Sequence, residues 1–561
     1  MSAAKASPAP HAPECAVCFC PLHGRGGAAC RLCHGACRAL ATFPAALIAA
    51  ALIRVFLLAT HGVIITDGVV YVQWAETVTS GDWARAFNDM MFNVFPVAVS
   101  LVQRVIGPIG PIGPMDHEAA AYLLNFACGL ALIYPLYRLA RNAFGAAAGV
   151  ITAWFLALLP PLAEYSSEVV REPLFWCLAA WSLLLFMRAV QPREPRGWSL
   201  WRLALSGALA LAAMLVRLEA LALLGGYGAA LLLGHAARGT AWQGGRRILA
   251  VIALLIAVPL AGAPAFGYLW QRTGKAQWAR LDQVFGQYSL GAIRTGAADP
   301  LAVSKDVMYT AGGKVDNAAM VRSLFMRLAA RHRHIVFAAE MAGAFWKASY
   351  GIGIALIACG AWYALRSRRL APSSPLAIVS AGVCVIMLAV IARYVATHYY
   401  VGTRHALFVV LVLSVFAGAW AGAWPSCDRL CRIVATGTLV VAAVVMLCQD
   451  AKPIRRDKLA VRECGIALRA ALPPGAVVAG SDAVKTAVYY ARRPFRLRPV
   501  HAPDRIAAFI TAEPRRYLLL NTNDPAQAAC ATALSGTLRR VEIPLPETKR
   551  YAFILLTGAG D

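Results

Sequence analysis

The sequence predicts an all-α polytopic membrane protein that ends in a small α/β soluble domain. Three observations carry this reading. Of 561 residues, 59% are hydrophobic and only 15% charged, against about 25% charged in an ordinary soluble domain. The apolar residues gather into about eleven runs suited to a hydrocarbon core about 30 Å thick. After the last run the chain turns more polar, and helix-like stretches alternate with short β-like ones such as RRYLLLNTN and RYAFILLTG.

Taken in order, the candidate spans are Phe43–Thr60, Ala119–Tyr137, Ala143–Leu162, Pro173–Phe186, Leu203–Val216, Leu218–Leu233, Ile248–Trp270, Tyr350–Leu365, Leu376–Val395, Ala406–Trp424 and Ile433–Cys448. Arg217 and Glu219 split the Leu203–Leu233 region in two. The residues before Phe43 are polar and Cys-rich, so no cleavable signal is expected and the first span is read as retained. Residues 1–42 form an extension, 43–448 the multi-span domain with long loops at 61–118 and 271–333, and 449–561 the C-terminal α/β domain. Lys275–Leu290 and Ala318–Trp346 place apolar residues at helical spacing with Arg between them. Those are marks of helices lying in the interface.

Net charge is +26. No run mixes Lys and Arg with aromatics as a nucleic-acid groove would, so nucleic acid is not an expected partner. The basic residues instead set orientation. Arg138 and Arg141, Arg188 to Arg202, Arg238 to Arg247, Arg366 to Arg369, and Arg429 with Arg432 fall in alternate connections. These are read as cytoplasmic together with the N-terminus, in an inner or plasma membrane. The C-terminal domain and both long loops then lie outside, periplasmic or extracellular.

Of fifteen Cys, six fall within Cys15–Cys37. Cys15-x2-Cys18 and Cys30-x2-Cys33 have the spacing of paired zinc knuckles, and a reducing cytoplasm favours metal over disulfide. A structural zinc site and a disordered start both fit this extension. In the C-terminal domain, pairing of Cys464 with Cys530 stays open.

Four polar groups recur at the outer ends of spans: Thr66-Asp67-Gly68 with Tyr71 and Glu76; Glu164 to Pro173, holding Glu168 and Glu172; Arg217-Leu218-Glu219; and His398 to His405, holding Tyr399, Tyr400 and Arg404. Each has a plain structural reading. Asp67 could cap a helix, Glu168 and Glu172 could offset a helix N-terminus, Arg217 and Arg404 could snorkel, and the tyrosines could form an interfacial belt. Together they weigh toward function, because each charge at membrane depth costs about 2.5–3.5 kcal/mol.

The order of these groups resembles the GT-C membrane glycosyltransferases, and among them the family 39-like group. That group includes dolichyl-phosphate-mannose protein mannosyltransferases and bacterial sugar transferases acting on lipid A. The matching features are the first span followed by TDGVVYVQWAE, then FPVAVSLVQRVIG, the Glu164–Glu172 region, VRLEALALL and YVGTRHALFVVLVL. The likeness is good over Phe43–Leu233 and loose beyond. Asp67 is followed by Gly rather than by a second acid, which leaves the acceptor and any active-site metal open.

The resemblance implies a polyprenyl-phosphate sugar as donor, transfer on the outer face, inversion at the anomeric carbon, and a lipid, glycan or protein acceptor. Asp67 then takes the place of the general base. Arg404, with Arg217 second, would bind the donor phosphate as it departs. Tyr71, Glu76, Glu168, Glu172, Glu219, Tyr399, Tyr400 and His405 are the expected substrate contacts. No cofactor is expected for catalysis, since a lipid-phosphate donor has no nucleotide diphosphate to bridge and the chain has no Asp-x-Asp pair. The rival reading is a transporter or lipid flippase, but no internal repeat is seen and the acids gather on one face rather than at midplane.

Overall fold

The computed structural model describes residues 42–83, 85, 93–109, 115–190, 196–233, 332–398, 402–420, 429–453, 455, 458–498, 500, 503–548 and 550–558. The paired Cys15/Cys18 and Cys30/Cys33, Tyr399 and Tyr400, the span at 248–270 and the helix at 275–290 lie outside these residues.

Helix α1 (Phe43–Thr60) starts at Thr42, whose hydroxyl accepts from the Ala45 N–H. Its outward face carries Ile48, Leu52, Val55 and Phe56, all exposed, as a lipid-facing stripe should be. Its inward face buries Arg54, which donates to the carbonyls of Ala50 at 3.0 Å and Ala157 at 3.5 Å. Two helices follow on the same end of the bundle, α2 (Thr66–Thr79) and α3 (Val94–Ile106).

Helices α4 (His117–Ala131) and α5 (Ile133–Phe144) make one apolar run of 28 residues. This run passes the expected end at Tyr137. Arg138 and Arg141 belong to it and donate to the phenols of Tyr134 and Tyr137 one turn back, the stems lying along the helix. Helix α6 (Ala146–Leu158) bends by 60° into α7 (Pro160–Ser166) at the Pro160-Pro161 pair, where proline removes donors from the ladder. Then come α8 (Glu172–Ala189), α9 (Arg196–Val216) and α10 (Leu221–Leu233), with a single 3-10 turn after Arg217 between the last two. The break falls where the sequence splits the run.

Helix α11 (Arg333–Ser349) meets α12 (Ile352–Arg366) at 89°. The corner is made by Tyr350 at φ 58° and Gly351 at φ 68°, and a Cβ on Gly351 would stand 2.7 Å from the Trp346 ring. Helices α13 (Pro375–His398), α14 (Thr403–Leu413) and α15 (Arg429–Asp450) complete the bundle. Among the described residues four helices are long and apolar enough to span, six if each bent pair counts once, and five more apolar helices are shorter. The chain is a multi-pass membrane protein.

The C-terminal domain contains α16 (Leu459–Ala471), β1 (Val477–Gly480), α17 (Lys485–Tyr490), β2 (Phe495–Leu497), α18 (Pro503–Thr511), β3 (Arg516–Asn521), α19 (Pro525–Leu534), β4 (Leu538–Arg540) and β5 (Phe553–Gly558). The sheet order is β2-β1-β3-β5-β4, with β1 parallel to β2 and β3, and β5 antiparallel to β3 and β4. Both faces are covered, as parallel strands require. In β3, Tyr517 and Leu519 face the core shared with α16 and α17, while Leu518 and Leu520 face the core shared with α18 and α19. Cys464 lies in the first core and Cys530 in the second. With the sheet between them, both are free thiols, and the pairing left open by the sequence does not form.

Candidate active site

The ends of α1, α7 and α15, the starts of α2, α8 and α14, and the break at Arg217 come together at one end of the bundle. Asp67 is the second residue of α2. The cap position belongs to Ile65, which makes no side-chain bond there, so Asp67 is not the N-cap. It sits in the first turn, where the helix dipole favours a carboxylate, and its side chain is 59% exposed. The Gly beside it has a packing reason. A Cβ on Gly68 would come within 2.8 Å of the Val169 carbonyl oxygen and of Ile64 Cγ1. Only Gly lets α2 lie against the 167–171 connection at this depth.

That connection is pinned from below. Asn125, fully buried in α4, donates from Nδ2 to the carbonyls of Glu168 at 2.6 Å and Val170 at 2.7 Å. It delivers Glu172, 2% exposed, to the start of α8. A buried carboxylate needs partners, and Glu172 has two: Arg217 Nη1 donates to its Oε1, and Arg404 Nη1 stands 3.5 Å from the same oxygen. Arg217 also donates from Nε to Glu219 Oε1 at 3.0 Å. His405 Nδ1 lies 3.2 Å from that oxygen. Arg404 Nη1 then reaches outward to Asp67 Oδ2 at 3.8 Å.

The result is a chain of alternating charge running from the buried Arg217 to the exposed Asp67, with Arg404 as its half-exposed middle. Tyr71, one turn beyond Asp67 on the same face of α2, packs edge-on against Phe95 at 5.4 Å. Burial holds its phenol above the usual pKa, so it stays a neutral donor.

The structure brings together Asp67, Tyr71, Glu172, Arg217, Glu219, Arg404 and His405. Glu168 is close by but turned to a different cation, accepting from Arg455 Nε at 2.6 Å. Burial raises the Glu168 carboxyl and Arg455 opposes that rise. Glu76, expected beside Asp67, is not in the group. Nine residues of helix is about two and a half turns, so Glu76 lies on the opposite face of α2, within electrostatic reach of Asp116.

Two more arginines belong to this region, Arg171 inside the Glu164–Pro173 group and Arg455, which the sequence pattern does not mark. Arg455 lies in the linker after α15, where nothing periodic marks it. Arg171 stands immediately before Glu172, and its Nε and Nη1 are buried without a hydrogen-bond partner. Two N–H groups in that state beside Tyr71 and Glu172 are a place for an incoming oxyanion.

Beside the charge chain lies a cavity of about 500 Å3 that borders it through Tyr165 and Thr403. Lys347, Lys452 and Arg455 face Glu164 and Asp450 across it, and Leu57, Pro160 and Pro161 make it apolar on one side. Among the described residues no three His, Cys, Asp or Glu side chains are grouped as metal ligands would be.

Residues 96–262 match the family described as dolichyl-phosphate-mannose-protein mannosyltransferase. No curated protein sequence matches the chain. Among solved structures, it superposes on ArnT from Cupriavidus metallidurans bound to undecaprenyl phosphate with a TM-score of 0.57 at 16% identity, covering 91% of this chain and 97% of that one. It also superposes on the apo Archaeoglobus fulgidus oligosaccharyltransferase with a TM-score of 0.52 at 14% identity, covering 87% of this chain and 71% of that one. The chain has the GT-C fold. Within this GT-C bundle the matched family segment begins in α3, and it carries Glu168, Glu172, Arg217 and Glu219.

Proposed function

We propose that this GT-C protein is a membrane glycosyltransferase that moves a sugar from a polyprenyl-phosphate-linked donor to an acceptor hydroxyl, with inversion, on the outer face of the membrane. The observation that carries the reading is Arg404 standing between Asp67 and Glu172, one guanidinium shared by an exposed carboxylate and a buried one. The family match and the undecaprenyl phosphate bound by the ArnT neighbour support a lipid-phosphate donor. The adjoining cavity supports it independently, since Lys347, Lys452 and Arg455 outnumber Glu164 and Asp450 there beside an apolar wall, a setting that suits an amphiphilic anion.

In this reading Asp67 accepts the proton of the acceptor hydroxyl. The hydroxyl oxygen forms the new bond to the anomeric carbon, and the carbon–oxygen bond to the phosphate breaks, its electron pair leaving with the lipid phosphate. Arg404 meets that charge. Its contact with Asp67 is long and half-exposed, and such pairs contribute only about 0–1 kcal/mol, so a donor phosphate displaces it easily and frees the carboxylate. Arg171 supplies further N–H donors. Arg217 is saturated by Glu172 and Glu219, and it acts as a positioning residue that holds Glu172 under Arg404. The reading requires no cofactor for catalysis and leaves an active-site divalent metal open.

The test is incubation of the purified protein with labelled polyprenyl-phosphate sugars and a membrane lipid extract, with EDTA present. Transfer of label supports the reading and identifies the acceptor class; absence of transfer with every donor refutes it.

A further inference from the structure

We propose that a second cavity, between the end of α1, the start of α4 and the C-terminal domain, seats a phospholipid with a primary ammonium head group, the phosphoethanolamine class. The cavity holds about 610 Å3 and shares no residue with the charge chain around Asp67. Its floor is apolar: Val55 and Leu58 come from the last turns of α1, Leu123 and Phe126 from α4. Val55 is also part of the lipid-facing stripe of α1, so the floor continues into the hydrocarbon.

The rim is polar and net acidic. Asp116 and Glu118 face a single guanidinium, Arg462; burial raises the Glu118 carboxyl and Asp116 adds to the rise, while the Tyr489 and Tyr490 phenols and Arg462 oppose it. Of the other titratable groups on the wall, burial holds the Tyr122 and Tyr490 phenols above their usual range, and His61 is neutral because burial and the nearby Arg455 push it down to about 4. Two carboxylates against one cation leave room for one more positive charge. Asp116 Oδ1 is spent on the Ala119 N–H, which leaves Oδ2. Glu118 accepts from Tyr489 at 3.0 Å and Tyr490 at 3.3 Å, one bond to each oxygen, so further lone pairs stay open.

An ammonium carries three N–H donors and no acceptor, which is the complement of this rim. A hydrated metal ion or a free amine would leave the apolar floor unused; an anionic lipid without an amine would meet the carboxylates. Arg462, exposed and stacked 5.6 Å over the Tyr490 ring, is set to pair with the head-group phosphate. His61 adds an independent sign of an occupant. Its Nδ1 is shared with the Tyr122 hydroxyl at 3.3 Å, while Nε2 is buried with no partner, and buried polar atoms are rarely left so. Since the walls come from α1, α4 and the C-terminal domain, the bound lipid ties that domain to the bundle.

The experiment is native mass spectrometry of the full chain in detergent, with phosphatidylethanolamine, phosphatidylglycerol or phosphatidylcholine of identical acyl chains added at equal concentration. Asp116→Asn keeps the helix cap but removes the charge, and Arg462→Gln removes the phosphate partner. The expected result is retention of the ethanolamine lipid above the other two, weakened roughly tenfold by either variant, about one charge-assisted hydrogen bond. Equal retention of ethanolamine and glycerol lipids overturns the proposal, as does equal retention of the choline lipid. Undiminished ethanolamine binding by a folded Asp116→Asn overturns it too. The lipid comparison on the unaltered protein stands even if a variant fails to fold.

Discussion

Replacing Arg217 and Arg404 separately by Met distinguishes the two arginines of the charge chain. Arg217 is 5% exposed and serves both Glu172 and Glu219. Removing one partner of a buried pair strands the other and costs about 3–5 kcal/mol. Glu172 would keep Arg404 at 3.5 Å and Glu219 would keep His405 at 3.2 Å, so the lower end applies. Against a total stability of about 5–15 kcal/mol, that is a large fraction. Arg404 is 38% exposed and its contacts are long, so Arg404→Met costs only about 0–1 kcal/mol. Its loss falls on the reaction, about 10²–10³-fold, as for removal of a donor to a developing oxyanion. The assay pairs thermal melting in detergent with transfer of labelled sugar. Arg217→Met should melt markedly earlier, whereas Arg404→Met should melt like the unaltered protein and transfer poorly. Full transfer by Arg404→Met, or an unchanged midpoint for Arg217→Met, would refute the assignment of roles.

Gly68→Ala should destabilise by about 1–3 kcal/mol through overpacking, because its Cβ meets the Val169 backbone; a normal melting curve would show that α2 can lift off without cost. His61, between Tyr122 and Arg455, gives a pH signature. Its folded pKa is depressed from 6.5 to about 4, so within that window the unfolded chain binds more protons and stability rises with pH. Acidifying from 6.5 toward 4 should therefore cost up to about 1.4 kcal/mol per pH unit at this position, and His61→Gln should flatten that part of the midpoint-against-pH curve. Equal slopes for both proteins would exclude His61 as the source.

Much of this organisation is readable from local pattern. Apolar runs of fixed length mark the helices, and the Arg217 break shows because charge interrupts a run. Asp67 and Arg404 stand out as charges at span ends. Their meeting is not readable, since it depends on how α2, α8 and α14 pack. Glu76 is lost to helical periodicity: a residue half a turn out of phase cannot share the face of Asp67. Arg455 escapes because a linker carries no period, yet it crosses over Gly62 and Glu168. The sheet order β2-β1-β3-β5-β4 is hidden for a similar reason, as parallel pairing across crossovers leaves no local mark. The separation of Cys464 from Cys530 follows only once that sheet is in place.

The most direct measurement is a single-turnover comparison of the unaltered protein with Asp67→Asn, each preloaded with the same labelled polyprenyl-phosphate sugar. The variant should express and retain the donor normally, because Asp67 is exposed and holds only a long contact to Arg404, while sugar transfer falls about 10²–10⁴-fold. Transfer at the unaltered rate by donor-loaded Asp67→Asn would contradict the account.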